Sequence, residues 1–212
     1  ITAQQIAAQA QCPPDESFTC GLLSGIGRLA LATAFPIEYG ELLERDLNPL
    51  ALREAEIASF GLDHATLSGE LLEDWGLPEI FHQAVRHHEL PGEAPFAPGS
   101  RAHALTEALH FATRVGALLN LDATGRWERL PSLYHAAARV GLEDTEVPPL
   151  VERVVAQWRD WGTELRLPTH DFSDLKLLLT TPPDPGAHNG QAQLTLLPLR
   201  LALVAPGVAL AR

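Results

Sequence analysis

The sequence is poor in several residue types, and each scarcity excludes a class of protein. Its 212 residues include no methionine and only two cysteines, Cys12 and Cys20. Two cysteines in a chain of this length make no disulfide framework, and without a C-x-x-C pair they offer no thiolate zinc site. We expect both to be free thiols in a cytoplasmic protein. Since even an initiator methionine is absent, we expect the chain to be part of a longer protein.

Basic residues are also few. Fifteen Lys and Arg stand against 27 Asp and Glu, which gives a formal net charge of -12. The basic residues are scattered, whereas a phosphate-backbone binder needs them clustered. No signal peptide is visible, and the apolar stretch 194–211 is interrupted by Arg200 and two prolines. We therefore expect neither a nucleic-acid partner nor a membrane partner.

Hydrophobic residues make up 46% of the chain, enough for a core, and their spacing up to about residue 165 is that of helices. Helix starts are indicated by Asn48-Pro49, Asp63, Pro78 and Ser100. The expected fold class is therefore all-α, a multi-helix domain. The predicted helices cover 1–11, 15–34, 38–45, 49–60, 64–75, 79–88, 101–121, 133–140 and 147–165, and the second would bury Phe18, Leu22, Leu23, Ile26, Leu29 and Ala30.

The composition changes near Pro168. We expect one helical domain over 1–167 and a linker over 168–197, which is richest in proline and glycine between Thr180 and Gln193. Residues 198–212 are apolar again. They are predicted to be either the first strand of a receiver-like domain or a disordered tail.

Three stretches together resemble the HDOD domain, a branch of the HD phosphohydrolase superfamily. Residues 18–29, FTCGLLSGIGRL, resemble the segment G-L-L-H-D-I-G-x-L of that family. Residues 54–78 carry the pattern E…H…L-L-E-D-W-G-L-P, and residues 84–89, AVRHHE, resemble A-I-x-x-H-H. Order and spacing agree across all three, and the resemblance covers roughly residues 1–120. It implies the C-terminal part of an HDOD domain, with the N-terminal half of that domain absent.

The resemblance also implies what the chain does not do. In active HD enzymes an adjacent His-Asp pair binds a divalent metal that activates water. Ser24 and Gly25 occupy those two positions, and neither replaces an imidazole or a carboxylate. We therefore predict no bound metal, no other cofactor and no catalytic residue. The competing hypothesis is a metal-dependent phosphohydrolase of the HD superfamily.

Four residues remain at family positions as candidates for a polar pocket: Glu54, His64, His87 and His88. They could hold a small ligand or a metal in an altered form, or the histidines could cap helices and bond to the backbone or to Glu54 within the fold. Two Glu-x-x-His motifs, Glu79/His82 and Glu107/His110, have the spacing of di-iron ligands, but we expect them to lie on solvated helix faces. Trp75 is predicted to be a core anchor.

The function implied by the resemblance is bacterial signal transduction. The chain would be a non-catalytic regulatory module that couples an input to a protein partner or an output domain. A diguanylate cyclase or a receiver domain is the expected kind of partner.

Overall fold

The computed structural model describes residues 1–45, 47–121 and 123–166. Within these residues the chain is helical and contains no strand, which confirms the all-α fold class. Predictions that concern residues 168–212, the linker and the receiver-like strand, lie outside the described residues. The helices are α1 (Thr2–Gln5), α2 (Pro14–Leu23), α3 (Ile26–Ala34), α4 (Pro36–Leu43), α5 (Pro49–Phe60), α6 (His64–Asp74), α7 (Glu79–His87), α8 (Arg101–Leu119), α9 (Ala123–Arg139) and α10 (Val147–Leu165).

Several helices begin at the predicted capping residues. The side chain of Asn48 accepts a hydrogen bond from the Ala51 amide, that of Asp63 from Thr66, and that of Ser100 from His103. Each bond satisfies an amide that has no partner inside its own helix. Helix α5 ends at Gly61, whose φ of 83° is in the left-handed region that favours glycine.

The predicted helix over 15–34 is wrong in one respect, because it is broken at Ser24-Gly25 into α2 and α3. Its predicted buried face is confirmed only in part: Leu23 and Ile26 pack against the core, and Phe18 and Ala30 are partly buried. Leu22 is 67% exposed and Leu29 is 40% exposed, whereas the buried positions are Ser17, Cys20, Gly27 and Leu31. The small residues on this face allow neighbouring helices to approach closely. Packing therefore overrides the apolar spacing.

Other differences are local. The first helix is shorter than predicted and is followed by turns, with Gln11 at φ 55°. Helix α9 begins ten residues before the predicted start and includes Pro131. Trp75 is 55% exposed, so its prediction as a core anchor is wrong. It lies at the C-terminal end of α6, and Gly76, with φ 75°, turns the chain away there.

The main core is formed by side chains from the N-terminal segment, α7, α8, α9 and α10, with Ile6, Phe111 and Leu150 fully buried. A smaller cluster joins Leu31, Tyr39, Leu42 and Leu52 from α3, α4 and α5. By length and composition alone, the stretch Pro14–Ala34 could also cross a membrane. That test is weak, because core helices of soluble proteins and signal sequences pass it too.

Two glycines set the spacing of the helices that position the site. A Cβ at Gly27 would collide with the backbone oxygen of His64, so α3 and α6 touch backbone to backbone. A Cβ at Gly69 would lie 2.9 Å from Cβ of Arg86, so α6 and α7 are also close there, although less close than α3 and α6. The Gly27 amide donates to Ser68 Oγ at 2.9 Å, and this hydroxyl lies 2.9 Å from the carbonyl oxygens of Ser24 and His64. The break at Ser24-Gly25 is therefore attached to α6.

Candidate functional site

A cavity of about 820 Å³ lies where the α2–α3 break faces α8. Ser24 and Gly25 line it from the break, and His64 lines it from the first turn of α6. The segment that follows α7 contributes His88 and Glu89, and α8 contributes His110 and Arg114. The cavity thus gathers residues that are far apart in the sequence.

His64 is the buried centre of one side of the cavity. It is 1% exposed, and its Nδ1 lies 2.6 Å from Glu56 Oε2 while its Nε2 lies 2.9 Å from Glu89 Oε1. Since each ring nitrogen meets a carboxylate oxygen, both nitrogens donate and the ring is an imidazolium. Glu56 is itself fully buried and accepts two further hydrogen bonds, from the Tyr39 hydroxyl at 2.8 Å and the His64 amide at 3.0 Å.

The electrostatics of this network follow from its geometry. Burial alone lowers the pKa of His64, but the hydrogen bonds to Glu56 and Glu89 outweigh it and raise the pKa above its usual value. Burial raises the pKa of Glu89, but the hydrogen bond and charge of His64 and the charge of Arg28 bring it down to about 2. Arg28 Nη2 lies 3.2 Å from Glu89 Oε1. The four groups Glu56, His64, Glu89 and Arg28 therefore neutralise one another.

The α8 side of the cavity is built differently. His110 Nδ1 lies 2.8 Å from the carbonyl oxygen of His88, so this nitrogen carries the proton and donates. Burial lowers the pKa of His110 to about 4, which leaves the ring neutral and Nε2 an acceptor. Arg114 Nε donates to that Nε2 at 3.4 Å. Arg114 is thus oriented by a neutral base.

His88 is also neutral. Its Nδ1 lies 2.6 Å from the carbonyl oxygen of Val85, so this nitrogen donates, and burial lowers the pKa of the ring. The tautomer leaves Nε2 as an acceptor. Among the described residues His88 and His110 are therefore both uncharged at neutral pH, whereas His64 is charged.

The predicted pocket residues separate into two groups. His64 and His88 line the cavity, as do Ser24 and Gly25. His87 points elsewhere, with its ring edge-on to Phe96 at 6.0 Å. The predicted contact with Glu54 is wrong: Glu54 lies on the exposed face of α5, and Glu56, two residues further along the helix, is the residue that meets His64.

The two Glu-x-x-His motifs do not meet. Glu79 is exposed at the start of α7, but His82 is 7% exposed and Glu107 is 2% exposed, so the expectation of solvated faces is wrong for these two. Glu107 is paired with Arg139, and His110 bonds to the backbone of His88. Over the described ranges, no group of three or more His, Cys, Asp or Glu side chains is placed to hold a metal ion.

Sequence reasoning missed Glu56, Glu89 and Arg114. Glu89 directly follows the two histidines of the third motif, so its position was a usable signal. Glu56 and Arg114 have no such signal in the sequence, because their roles come from contacts between separate helices.

Comparison with known proteins agrees with this architecture. Residues 1–91 match the family model of the HDOD domain. No curated protein matches the chain. A solved structure, the MmoQ response regulator from Methylococcus capsulatus str. Bath, is similar over 71% of this chain, with 36% identity and a TM-score of 0.51. The match covers 56% of that structure, so the chain spans little more than half of its length.

These comparisons also bear on function at a coarse level. HDOD domains are a degenerate HD-like family that is generally non-catalytic, and the similar solved structure is a response regulator by name. Both findings support a regulatory role. The first 91 residues contain the α2–α3 break, α6 and both carboxylates that hold His64, and this part of the chain belongs to the HDOD domain family.

Proposed function

We propose that this chain is a non-catalytic regulatory module of the HDOD type, which couples an input signal to a protein partner or an output domain in the cytoplasm. The family of residues 1–91 and the similarity to a response regulator support a regulatory role. The observation that carries the non-catalytic part is the chemistry of the residues at the α2–α3 break.

Ser24 and Gly25 stand where the resemblance places the metal-binding His-Asp pair. Gly25 has no side chain, and the Ser24 hydroxyl donates to the Gly21 carbonyl at 3.0 Å. His64 cannot compensate, because both of its ring nitrogens are engaged by carboxylates. The residues therefore do not fit the metal that an HD hydrolase needs to activate water. A lone imidazole supplies about 10²–10⁴-fold as a general base, too little for an inert phosphoester.

The test compares the natural chain with a variant in which the pair is restored, Ser24→His together with Gly25→Asp. A Cβ at Gly25 meets nothing within 4 Å, so the carboxylate has room. Both proteins are incubated with manganese, desalted, and assayed for metal content and for hydrolysis of nucleotides and cyclic dinucleotides.

We expect the natural chain to retain no stoichiometric metal and to hydrolyse none of these substrates. About one or two equivalents of iron, manganese or zinc, or hydrolysis abolished by His64→Ala, would establish the competing function of a metal-dependent phosphohydrolase. The restored variant shows whether the His-Asp pair alone is sufficient for metal retention or hydrolysis in this fold.

The expected partner is a protein. The net charge of -12 disfavours nucleic acid. Binding of the 212-residue chain to a purified receiver domain and to a purified diguanylate cyclase from the same organism, measured by calorimetry, tests this part. We expect one of the two to bind, and no binding to either would refute a partner of these types.

A further inference from the structure

The cavity concentrates positive charge in a chain that is acidic as a whole. Arg28, Arg53, Arg114 and Arg129 all line it, and Glu89 is the sole carboxylate among its described lining residues. Two of the arginines are compensated: Arg28 by Glu89, and Arg53 by Asp63 at 2.6 Å and Glu93 at 3.4 Å. Arg114 and Arg129 have no such carboxylate in the described structure. The excess charge therefore lies on the α8–α9 side.

Arg114 is held in a way that preserves its charge. Its hydrogen-bond partner is the neutral ring of His110, so the guanidinium is oriented but not neutralised. Half-burial and the positive charge of Arg129 both lower the pKa of Arg114. The attraction of Glu89 acts in the opposite direction, but that carboxylate is already bonded to His64 and Arg28. Two guanidinium groups thus repel each other beside a cavity.

Arg114 is half-buried and Arg129 is exposed, and both line the cavity, so an anion there would meet two guanidinium groups that no carboxylate neutralises. A single carboxylate would supply one negative charge for two cations, whereas a phosphate monoester supplies close to two. Guanidinium groups also match phosphate oxygens bidentately. The remaining lining is mixed: Leu47, Leu50 and Leu90 give it an apolar part, beside polar residues such as Asn48, Thr113 and Asn120. Its volume of about 820 Å³ is in the range of pockets that enclose small organic ligands.

We propose that this cavity binds a phosphorylated small molecule of about nucleotide size, with Arg114 and Arg129 on its phosphate groups and the leucines against its organic part. Glu89 does not oppose this binding, because His64 and Arg28 neutralise it. The bound molecule would be the input signal of the proposed regulatory function. This role as a signal rests on the proposed function, whereas the binding itself is independent of it.

Calorimetry of the 212-residue chain in EDTA with ATP, inorganic pyrophosphate and adenosine tests the proposal. EDTA removes any contribution of a metal ion. We expect ATP and pyrophosphate to bind, and adenosine alone to bind at least about tenfold more weakly than ATP, because charge-assisted hydrogen bonds are lost.

The decisive comparison uses two variants that remove the same charge. Arg114→Gln should weaken ATP and pyrophosphate binding by about tenfold or more. Arg153→Gln, at an exposed position of α10 that does not line the cavity, should leave both affinities within about twofold. Arg114→Lys keeps the charge but lacks the bidentate geometry of the guanidinium. Its affinities should lie between those of Arg114→Gln and Arg153→Gln.

Three results would overturn the proposal: no binding of either phosphate compound at about 1 mM, an equal loss of affinity in Arg114→Gln and Arg153→Gln, or adenosine binding as tightly as ATP. Failure of the regulatory proposal gives a different pattern. In that case ATP would bind and depend on Arg114, while the affinity for the receiver or cyclase partner would be unchanged by the ligand.

Discussion

Two walls of one cavity hold positive charge in opposite ways. On the paired wall Arg28, His64 and Glu89 line the cavity, the buried Glu56 holds His64 from behind, and each of these cations meets a carboxylate. On the open wall, made by His110, Arg114 and Arg129, one guanidinium is held by a neutral imidazole and a second lines the cavity without a carboxylate partner. The difference separates two uses of charge beside one cavity. Full pairing fixes the fold, whereas uncompensated charge is available to a ligand.

The largest loss of stability is expected when Glu56, the carboxylate that holds His64, is removed. We expect Glu56→Ala to lower the free energy of unfolding by about 3–5 kcal/mol, because it leaves the buried His64 imidazolium without one of its two carboxylates and Tyr39 without its acceptor. Urea denaturation followed by circular dichroism measures the loss.

Glu54→Ala is the matched control, since Glu54 lies on the exposed face of the same helix. It should change stability by less than about 0.5 kcal/mol. Equal losses in the two variants would mean that Glu56 does not support the paired wall.

The ionised pairs of the paired wall should also make the stability of the protein depend on pH. The pKa of Glu89 is about 2 in the fold against 4.5 unperturbed, so its contribution is present above pH 4.5 and is lost as the pH falls toward 2. The pKa of His64 is raised above 6.5, so its contribution is present below pH 6.5 and is lost as the pH rises through the folded value. Both contributions are complete between pH 4.5 and 6.5.

Glu89→Gln should therefore cost most in that window, about 2–3 kcal/mol, and progressively less at lower and higher pH. Unfolding midpoints of the natural chain and the variant across pH 3–9 test this. A difference that does not vary with pH would show that the network is not ionised as described.

The smallest effect is expected on the open wall. Arg114→Gln should leave the unfolding free energy unchanged within about 0.5 kcal/mol, because it removes the attraction of Glu89 together with the repulsion of Arg129. Arg53→Gln should instead cost about 1.5–3 kcal/mol, since Arg53 donates to the buried carboxylate of Asp63. If both variants lose the same stability in thermal melts, the two arginines do not differ in compensation.

The fold could be predicted from the sequence wherever its causes are local. The starts of α5, α6 and α8 follow from side chains that bond amides three residues ahead, and those spacings are visible in the sequence. The break at Ser24-Gly25 was not predicted, because the hydroxyl that bonds to it comes from Ser68, 44 residues later.

The candidate site shows the same division. His64 and His88 were found because their motifs carry them into the cavity. Glu56 and Arg114 were not, since their partners lie on other parts of the chain. Glu54 was chosen on a family position alone, and two residues along a helix turn a side chain by about 200°.

The close crossing of α3 and α6 affects how a map of tolerated substitutions along this chain would read. Gly27 accepts no side chain at all, yet it neither lines the cavity nor carries a reactive group. Gly25, two residues earlier, does line the cavity and has free space around its Cα. A survey of natural or laboratory variants would therefore find strict invariance at the structural position and latitude at the cavity position. At this site, the position that tolerates no substitution is Gly27, where two backbones touch. Gly25, which faces the cavity, would be found among the positions that tolerate substitution.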